Sequence, residues 1–265
     1  LLSFVFIATI SLTSYQLFFM KNLWIDTSYS VNNILLIYLV INAYKYATEE
    51  RYAKRIRGMF SSYVTEKIVD ELIKNPELAK LGGERRKVTV LFSDVRGFTT
   101  FSEKHGPEKV VAILNEYLGE MTNIIFEWDG TLDKFVGDEV MAFFGAPGNR
   151  HLKDHALVAV RTAIDIQSKM RELQEKWIKQ NRAVLQIGIG INTGEMVVGN
   201  MGSAERMDYT VIGDNVNLAA RLCSAANKDE IIISESTYEK ISEHIQAEKL
   251  EPISVKGKAK PVSIY

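Results

Sequence analysis

Residues 1–20, LLSFVFIATISLTSYQLFFM, contain no charged side chain, and a second uncharged stretch runs from Thr27 to Tyr44 around ILLIYLV. At about 1.5 Å per residue the first reaches roughly 30 Å, the thickness of a bilayer core. Asn32, Asn33 and Asn42 interrupt the second, and a short hinge with Lys21 and Asp26 separates the two. The pair reads as a transmembrane helical hairpin over 1–46, with a buried hairpin of soluble helices as the alternative. A signal peptide fits poorly, because there is no basic leading region and no small-residue cleavage site. Lys45, Arg51, Lys54, Arg55 and Arg57 follow the second stretch, against Lys21 alone in the hinge. The positive-inside rule then places everything after residue 45 in the cytoplasm, beneath the cell (inner) membrane. Opening abruptly inside an apolar run, the sequence reads as part of a longer chain.

The pattern then changes twice. Residues 47–74 predict a linker helix in which Tyr52, Ile56, Met59 and Tyr63 recur at spacings of 4, 3 and 4. That is the seam of a short coiled coil or the buried stripe of one amphipathic helix. Asn75-Pro76 ends it, since the residue before proline avoids the helical region. Beyond Gly82-Gly83, short apolar runs alternate with amphipathic ones. KVTVLFSDV (87–95), LDKFV (132–136), VMAFFG (140–145), LQIGIGINTG (185–194) and RMDYTVIG (206–213) predict strands. Residues 107–127, 152–179 and 214–226 predict helices, and EPISVKGKAKPVSIY a terminal hairpin. The order strand, helix, hairpin, helix, strand is the ferredoxin-like βαββαβ layout of an α+β palm, here with extra C-terminal elements. The expected organisation is thus 1–46, a 47–82 linker and an 83–265 catalytic domain.

Composition narrows the function. The chain has 265 residues, 46% hydrophobic and 25% charged, with a net charge of −1, which excludes disorder and argues against a nucleic-acid binder that neutralises phosphates. Cys223 is the sole cysteine and no Cys/His cluster offers a zinc site. No GxxxxGK[ST] loop is present, and GIGINTG lies inside a predicted strand with the wrong spacing for a dinucleotide site. His151 and His155 stand at helical spacing without a third ligand.

Three clusters carry candidate chemistry. Asp94 ends a predicted strand and Asp138 sits at the Gly137-Asp138 turn of the next hairpin. In a ferredoxin-like sheet these are neighbours, so the two carboxylates can converge. Two carboxylates with a few backbone oxygens suit Mg²⁺ when phosphates complete its shell. The N–H groups of Gly97, Phe98 and Thr99 would open a helix beside those phosphates. Lys134 stands four residues before Asp138, roughly 13 Å away on the same strand face, too far for both to touch one small group. Thr210 lies on a strand before the Gly213-Asp214 turn, and Asn217 and Arg221 share one face of the helix that follows. An amide beside a guanidinium can steer a sugar and stabilise charge on phosphorus. Lys256, in SVKGK, can meet phosphate as a point charge.

VTVLFSDVRGFTTFSE, LDKFVGDEVMAFFG, GINTGEMVVGNMGS and DYTVIGDNVNLAARL resemble, in order and spacing, the motifs of class III nucleotidyl cyclases. The resemblance covers about 83–265 and implies cyclisation of ATP to 3′,5′-cyclic AMP and pyrophosphate by attack of the ribose 3′-hydroxyl. It implies that Asp94, Asp138 and the carbonyl of Val95 hold two Mg²⁺ or Mn²⁺ ions. Lys134 and Thr210 would read the base, Asn217 would orient the ribose, Arg221 would stabilise the transition state and Lys256 would contact the triphosphate. It further implies a head-to-tail homodimer with two shared sites, which answers the Lys134–Asp138 separation. Threonine at 210, where many adenylate cyclases carry aspartate, resembles a bacterial subtype. Lys134 favours ATP over GTP, since guanylate-specific relatives typically carry glutamate there. A guanylate cyclase and a nucleotide-binding pseudocyclase are the rival readings; a diguanylate cyclase is disfavoured because the hairpin reads VGDEV rather than a GGDEF-like turn.

Overall fold

Alternating apolar residues through KVTVLFSDV build the central strand of the molecule, β1 (Gly82–Val95), which starts five residues earlier than its apolar run. The computed structural model describes residues 2–21, 28–60, 69–70, 73–74, 81–146, 154–203, 207–254 and 261–265, the side chains of 2–6, 21, 55, 59 and 60 excepted. The chain divides into two units, 1–55 and 56–265.

The first unit is helical. It contains α1 (Leu2–Lys21) and most of α2 (Ser28–Phe60), so the second apolar stretch and the beginning of the linker form one helix. Leu35, Leu36, Ile37, Leu39, Val40 and Ile41 are exposed along it. The membrane spans expected at 1–20 and 27–44 are not recovered: among the described residues no helix is long and apolar enough to cross a membrane. In α2, Asn32, Asn33 and Asn42 dilute the apolar run with polar amides. The hinge at 22–27, Tyr63 of the expected seam and Asn75-Pro76 lie outside the described residues.

In the second unit β1 is followed by α3 (Phe98–Lys104), α4 (Pro107–Glu127), β2 (Thr131–Val136), β3 (Glu139–Phe144), α5 (His155–Lys179), β4 (Ile187–Gly202), β5 (Met207–Ile212), α6 (Asp214–Ala225), β6 (Ile231–Ile233) and α7 (Glu235–Ile241). The strands order β2-β3-β1-β4-β5, with β6 parallel beside β4. Each neighbouring pair among the first four is antiparallel, so β1-α4-β2-β3-α5-β4 has the ferredoxin-like arrangement that the sequence predicts. β7 (Leu250–Ile253) and β8 (Val262–Ile264) form the terminal hairpin.

One sheet face carries Leu91, Val95, Ala142, Phe144, Ile189 and Ile191 against Tyr117, Met121, Ile166, Met170 and Trp177 of α4 and α5. Tyr117 shares a 3.0 Å hydrogen bond with Ser93 under this layer. Glu116 accepts hydrogen bonds from Lys176 (2.7 Å), Trp177 Nε1 (3.0 Å) and Arg182 (2.8 Å), clamping α4 to the end of α5. Burial pushes its carboxyl up, but these three donors outweigh it and hold the pKa at about 2.

The opposite face receives α6 and β5. A Cβ at Gly190 would meet the backbone of Ala219 and Cys223, so α6 rides directly on the β4 main chain. β5 folds back across the sheet, with Tyr209 against Phe143 at 5.8 Å between ring centres.

Candidate active site

Asp94 pairs in register with Gly188, on the even-numbered side of β1 that faces α6 rather than the helical core. Asp138 reaches the same place from the β2–β3 turn, which Gly137 makes possible with a φ of 66°. Its Oδ2 accepts the N–H of Val95 at 3.2 Å. Burial raises the Asp138 pKa to about 6, and the neighbouring Asp94 charge adds to that shift. Two neighbouring carboxylates favour a cation between them, and Val95 supplies a main-chain carbonyl beside them. Among the described residues no group of three or more His, Cys, Asp and Glu side chains could hold a metal ion. Two carboxylates with a main-chain oxygen are a donor set that fits a hard cation such as Mg²⁺ when phosphate and water complete its shell.

Arg96 lies beside this pair, 3.4 Å from Asp94 Oδ2. It donates to the carbonyl of Cys223 at 2.7 Å and covers Gly188, where a Cβ would strike the guanidinium. One side chain thus ties the end of β1 to the end of α6. Gly97, with φ 70°, starts α3 without any side-chain cap, which leaves the first-turn N–H groups of Phe98 and Thr99 outside the helix's own ladder.

On α6, Leu218, Ala219, Leu222 and Cys223 are buried toward the sheet. Asn217 is exposed and Arg221 half-buried, one turn apart on the other side. The head of the helix is pinned: Asn192 donates to the carbonyl of Asn215 at 2.8 Å, and Asn215 Nδ2 to the carbonyl of Glu195 at 3.0 Å.

The third group converges on a residue that sequence reasoning did not single out. Thr210 donates to Oδ2 of Asp133 at 2.5 Å, and the Lys134 ammonium stands 3.2 Å from Oδ1. The Asp133 side chain is wholly buried and that of Lys134 is 44% exposed. Burial raises the Asp133 pKa, opposed by Thr210, by the Lys134 charge and by the N–H of Val211. Neighbouring strand residues ordinarily point to opposite faces. Here the β2–β3 register shifts between Leu132 and Lys134, leaving Asp133 as a bulge, and the two side chains meet. Lys256 lies outside the described residues.

The structure therefore brings together Asp94, Asp138 and Val95, gathers Lys134 with Thr210, and sets Asn217 with Arg221. Arg96 and Asp133 are the additions. Both stand inside conspicuous motifs, Arg96 two residues after Asp94 and Asp133 immediately before Lys134, but strand alternation assigns Asp133 to the face opposite Lys134.

The model of the adenylate and guanylate cyclase catalytic domain matches residues 83–265. An adenylate cyclase of Anabaena cylindrica is 34% identical over 221 residues, which cover 80% of this chain and 43% of that protein. Adenylate cyclase 1 of Rhizobium meliloti is 32% identical over 211 residues, 78% of this chain and 31% of that protein. This chain thus spans less than half the length of these relatives. Among solved structures, the adenylyl cyclase CyaB from P. aeruginosa superposes with a TM-score of 0.67 at 47% identity, over 70% of this chain and 95% of that one. The guanylyl cyclase Cya2 gives 0.66 at 41% identity, over 69% and 92%.

Proposed function

Because the chain belongs to the family of adenylate and guanylate cyclase catalytic domains, we propose that it converts ATP to 3′,5′-cyclic AMP. The ribose 3′-oxygen bonds to the α-phosphorus, the bond from that phosphorus to the bridging oxygen breaks, pyrophosphate leaves, and the hydroxyl proton passes to solvent. The observation that carries the choice of adenine is the pairing of Lys134 with Thr210 at one buried carboxylate. An ammonium donates to the unprotonated N1 of adenine, whereas guanine presents an N–H there.

Asp94, Asp138 and the Val95 carbonyl would hold Mg²⁺ or Mn²⁺, which supplies Lewis acidity at the phosphates. The N–H groups at Gly97, Phe98 and Thr99 bind phosphate oxygens. Asn217 orients the ribose hydroxyls, and Arg221 stabilises charge growing on the transferring phosphorus. Lys256 is assigned to the triphosphate on its motif alone.

We assign the working unit to two copies of the chain arranged head to tail. The support is the separate placing of the two groups: Lys134 gathers with Thr210 at Asp133, while Asp138 sits in the turn beyond β2 beside Val95, so base-reading and metal-holding groups act on one nucleotide from different copies. Attachment to the inner membrane, with residues beyond 45 in the cytoplasm, rests on the uncharged run 1–20 and the cations that follow residue 44. Resistance of the chain to carbonate extraction from membranes tests it.

Incubating the protein with ATP or GTP and Mn²⁺, and identifying the product, tests the main reading. The similarity to a guanylyl cyclase structure makes cyclic GMP the competing outcome. Binding of ATP without any cyclic product would leave a nucleotide-responsive pseudoenzyme instead.

A further inference from the structure

We propose that Asp133 is a positioning residue that fixes the polarity of Thr210, making its hydroxyl a pure acceptor toward the purine 6-position. The inference rests on the cyclase reading above and names how that site tells one base from another.

A threonine hydroxyl has one hydrogen and two lone pairs, so by itself it accommodates either a donor or an acceptor on a ligand. At Thr210 the hydrogen is already committed: Oγ1 donates to Oδ2 of Asp133 at 2.5 Å. Hydrogen bonds to a carboxylate are about twice as strong as those between neutral groups, so a base cannot readily draw that hydrogen away. Burial raises the Asp133 pKa, while the Lys134 ammonium, 3.2 Å from Oδ1, and the N–H of Val211 oppose that shift and favour the acceptor form. Its side chain is wholly buried, which leaves water no part in the exchange. Only the lone pairs of Thr210 remain for a ligand.

That leftover polarity has a chemical consequence. Adenine carries an amino group at position 6 and satisfies an acceptor. Guanine and hypoxanthine carry a carbonyl oxygen there and face the lone pairs of Thr210 with lone pairs of their own. A site built around one hydrogen-bond direction penalises the wrong partner because buried polar groups are left unpaired. The bulge at Asp133 makes this possible, since it sets one carboxylate against both Lys134 and Thr210. Sequence position 210 therefore reads the base only in combination with position 133.

The experiment compares kcat/KM for ATP, inosine triphosphate and purine riboside triphosphate, which lacks any 6-substituent. Wild-type protein is expected to favour ATP over both analogues by at least about tenfold, the order expected for one buried hydrogen bond. Asp133→Asn, whose amide can donate to Thr210 and release the hydroxyl hydrogen, should lower the ATP-to-inosine ratio at least tenfold. Asp133→Glu, which keeps an acceptor-only group, should retain most of it, and Thr210→Val should abolish the preference for ATP over the unsubstituted purine. The double variant Asp133→Asn/Thr210→Val should discriminate no less than Thr210→Val alone. An active Asp133→Asn protein with both nucleotides slowed equally would overturn the proposal, since a merely structural residue behaves so. Should that variant not fold, equal use of ATP and the unsubstituted purine by wild type overturns it as well. Failure of wild type to cyclise any of the three triphosphates would instead remove the cyclase reading itself.

Discussion

Asp138 Oδ2 accepts the main-chain N–H of Val95 at 3.2 Å, so the tip of one hairpin is tied to the last residue of the strand beside it. That tie holds a carboxyl against Asp94, and its pKa rises to about 6 through burial and the neighbouring charge. A carboxyl raised on folding contributes stability that is complete below its unfolded value and is lost as pH rises through about 6. Asp138→Asn should therefore raise the metal-free melting temperature at pH 7, by about 2–4 °C, with the gain gone near pH 4. The same variant should have no cyclase activity. Thermal scans across this pH range check it; a lower melting temperature at pH 7 would mean that the pair does not repel.

Protons and divalent ions should compete for the same oxygens. Apparent Mn²⁺ affinity is expected to fall about tenfold per pH unit below the Asp138 pKa and to level off above it. Mn²⁺ titrations between pH 5 and 8 measure this, and a flat profile would place the ion elsewhere.

Mixing two inactive variants, Asp94→Ala and Arg221→Ala, should restore activity to about a quarter of wild type. Half of the dimers are then mixed, and each mixed dimer has one intact site of two. No recovery at concentrations where dimers form would defeat the shared site.

Gly190→Ala should displace α6, because the added methyl would overlap the backbone at Ala219 and Cys223. The expected cost is about 1–3 kcal/mol in urea unfolding, with loss of kcat larger than any change in KM. Unchanged kcat would show that the seat of α6 on β4 does not position Arg221.

Glu116→Gln should weaken the α4–α5 clamp by about 1–2 kcal/mol at pH 7. Since folding depresses this carboxyl to about 2, its contribution is present above the unfolded value near 4.5 and disappears as pH falls through about 2. Wild type and variant should thus converge in stability at strongly acid pH. A constant difference across pH would assign the loss to packing instead.

Much of this was legible because local pattern and topology agree. The ferredoxin-like layout seats β1 beside the β2–β3 hairpin, so Asp94 and Asp138 could be placed together from the order of elements. Asn217 and Arg221 follow from helical spacing. Asp133 escaped because alternation puts adjacent strand residues on opposite faces, and a bulge is what breaks the rule at Lys134. The return of β5 across the sheet to deliver Thr210 likewise has no periodic signature. α2 was read as two elements because its charge content changes midway, although helical geometry does not.

The irregular pairing at Asp133 also bears on redesign. Exchanging letters at 134 and 210 transplants chemistry without its seat, whereas shortening β2 by one residue would restore regular pleating and swing the ammonium away from its partner. Substrate choice in this protein is stored as a register as well as a pair of side chains.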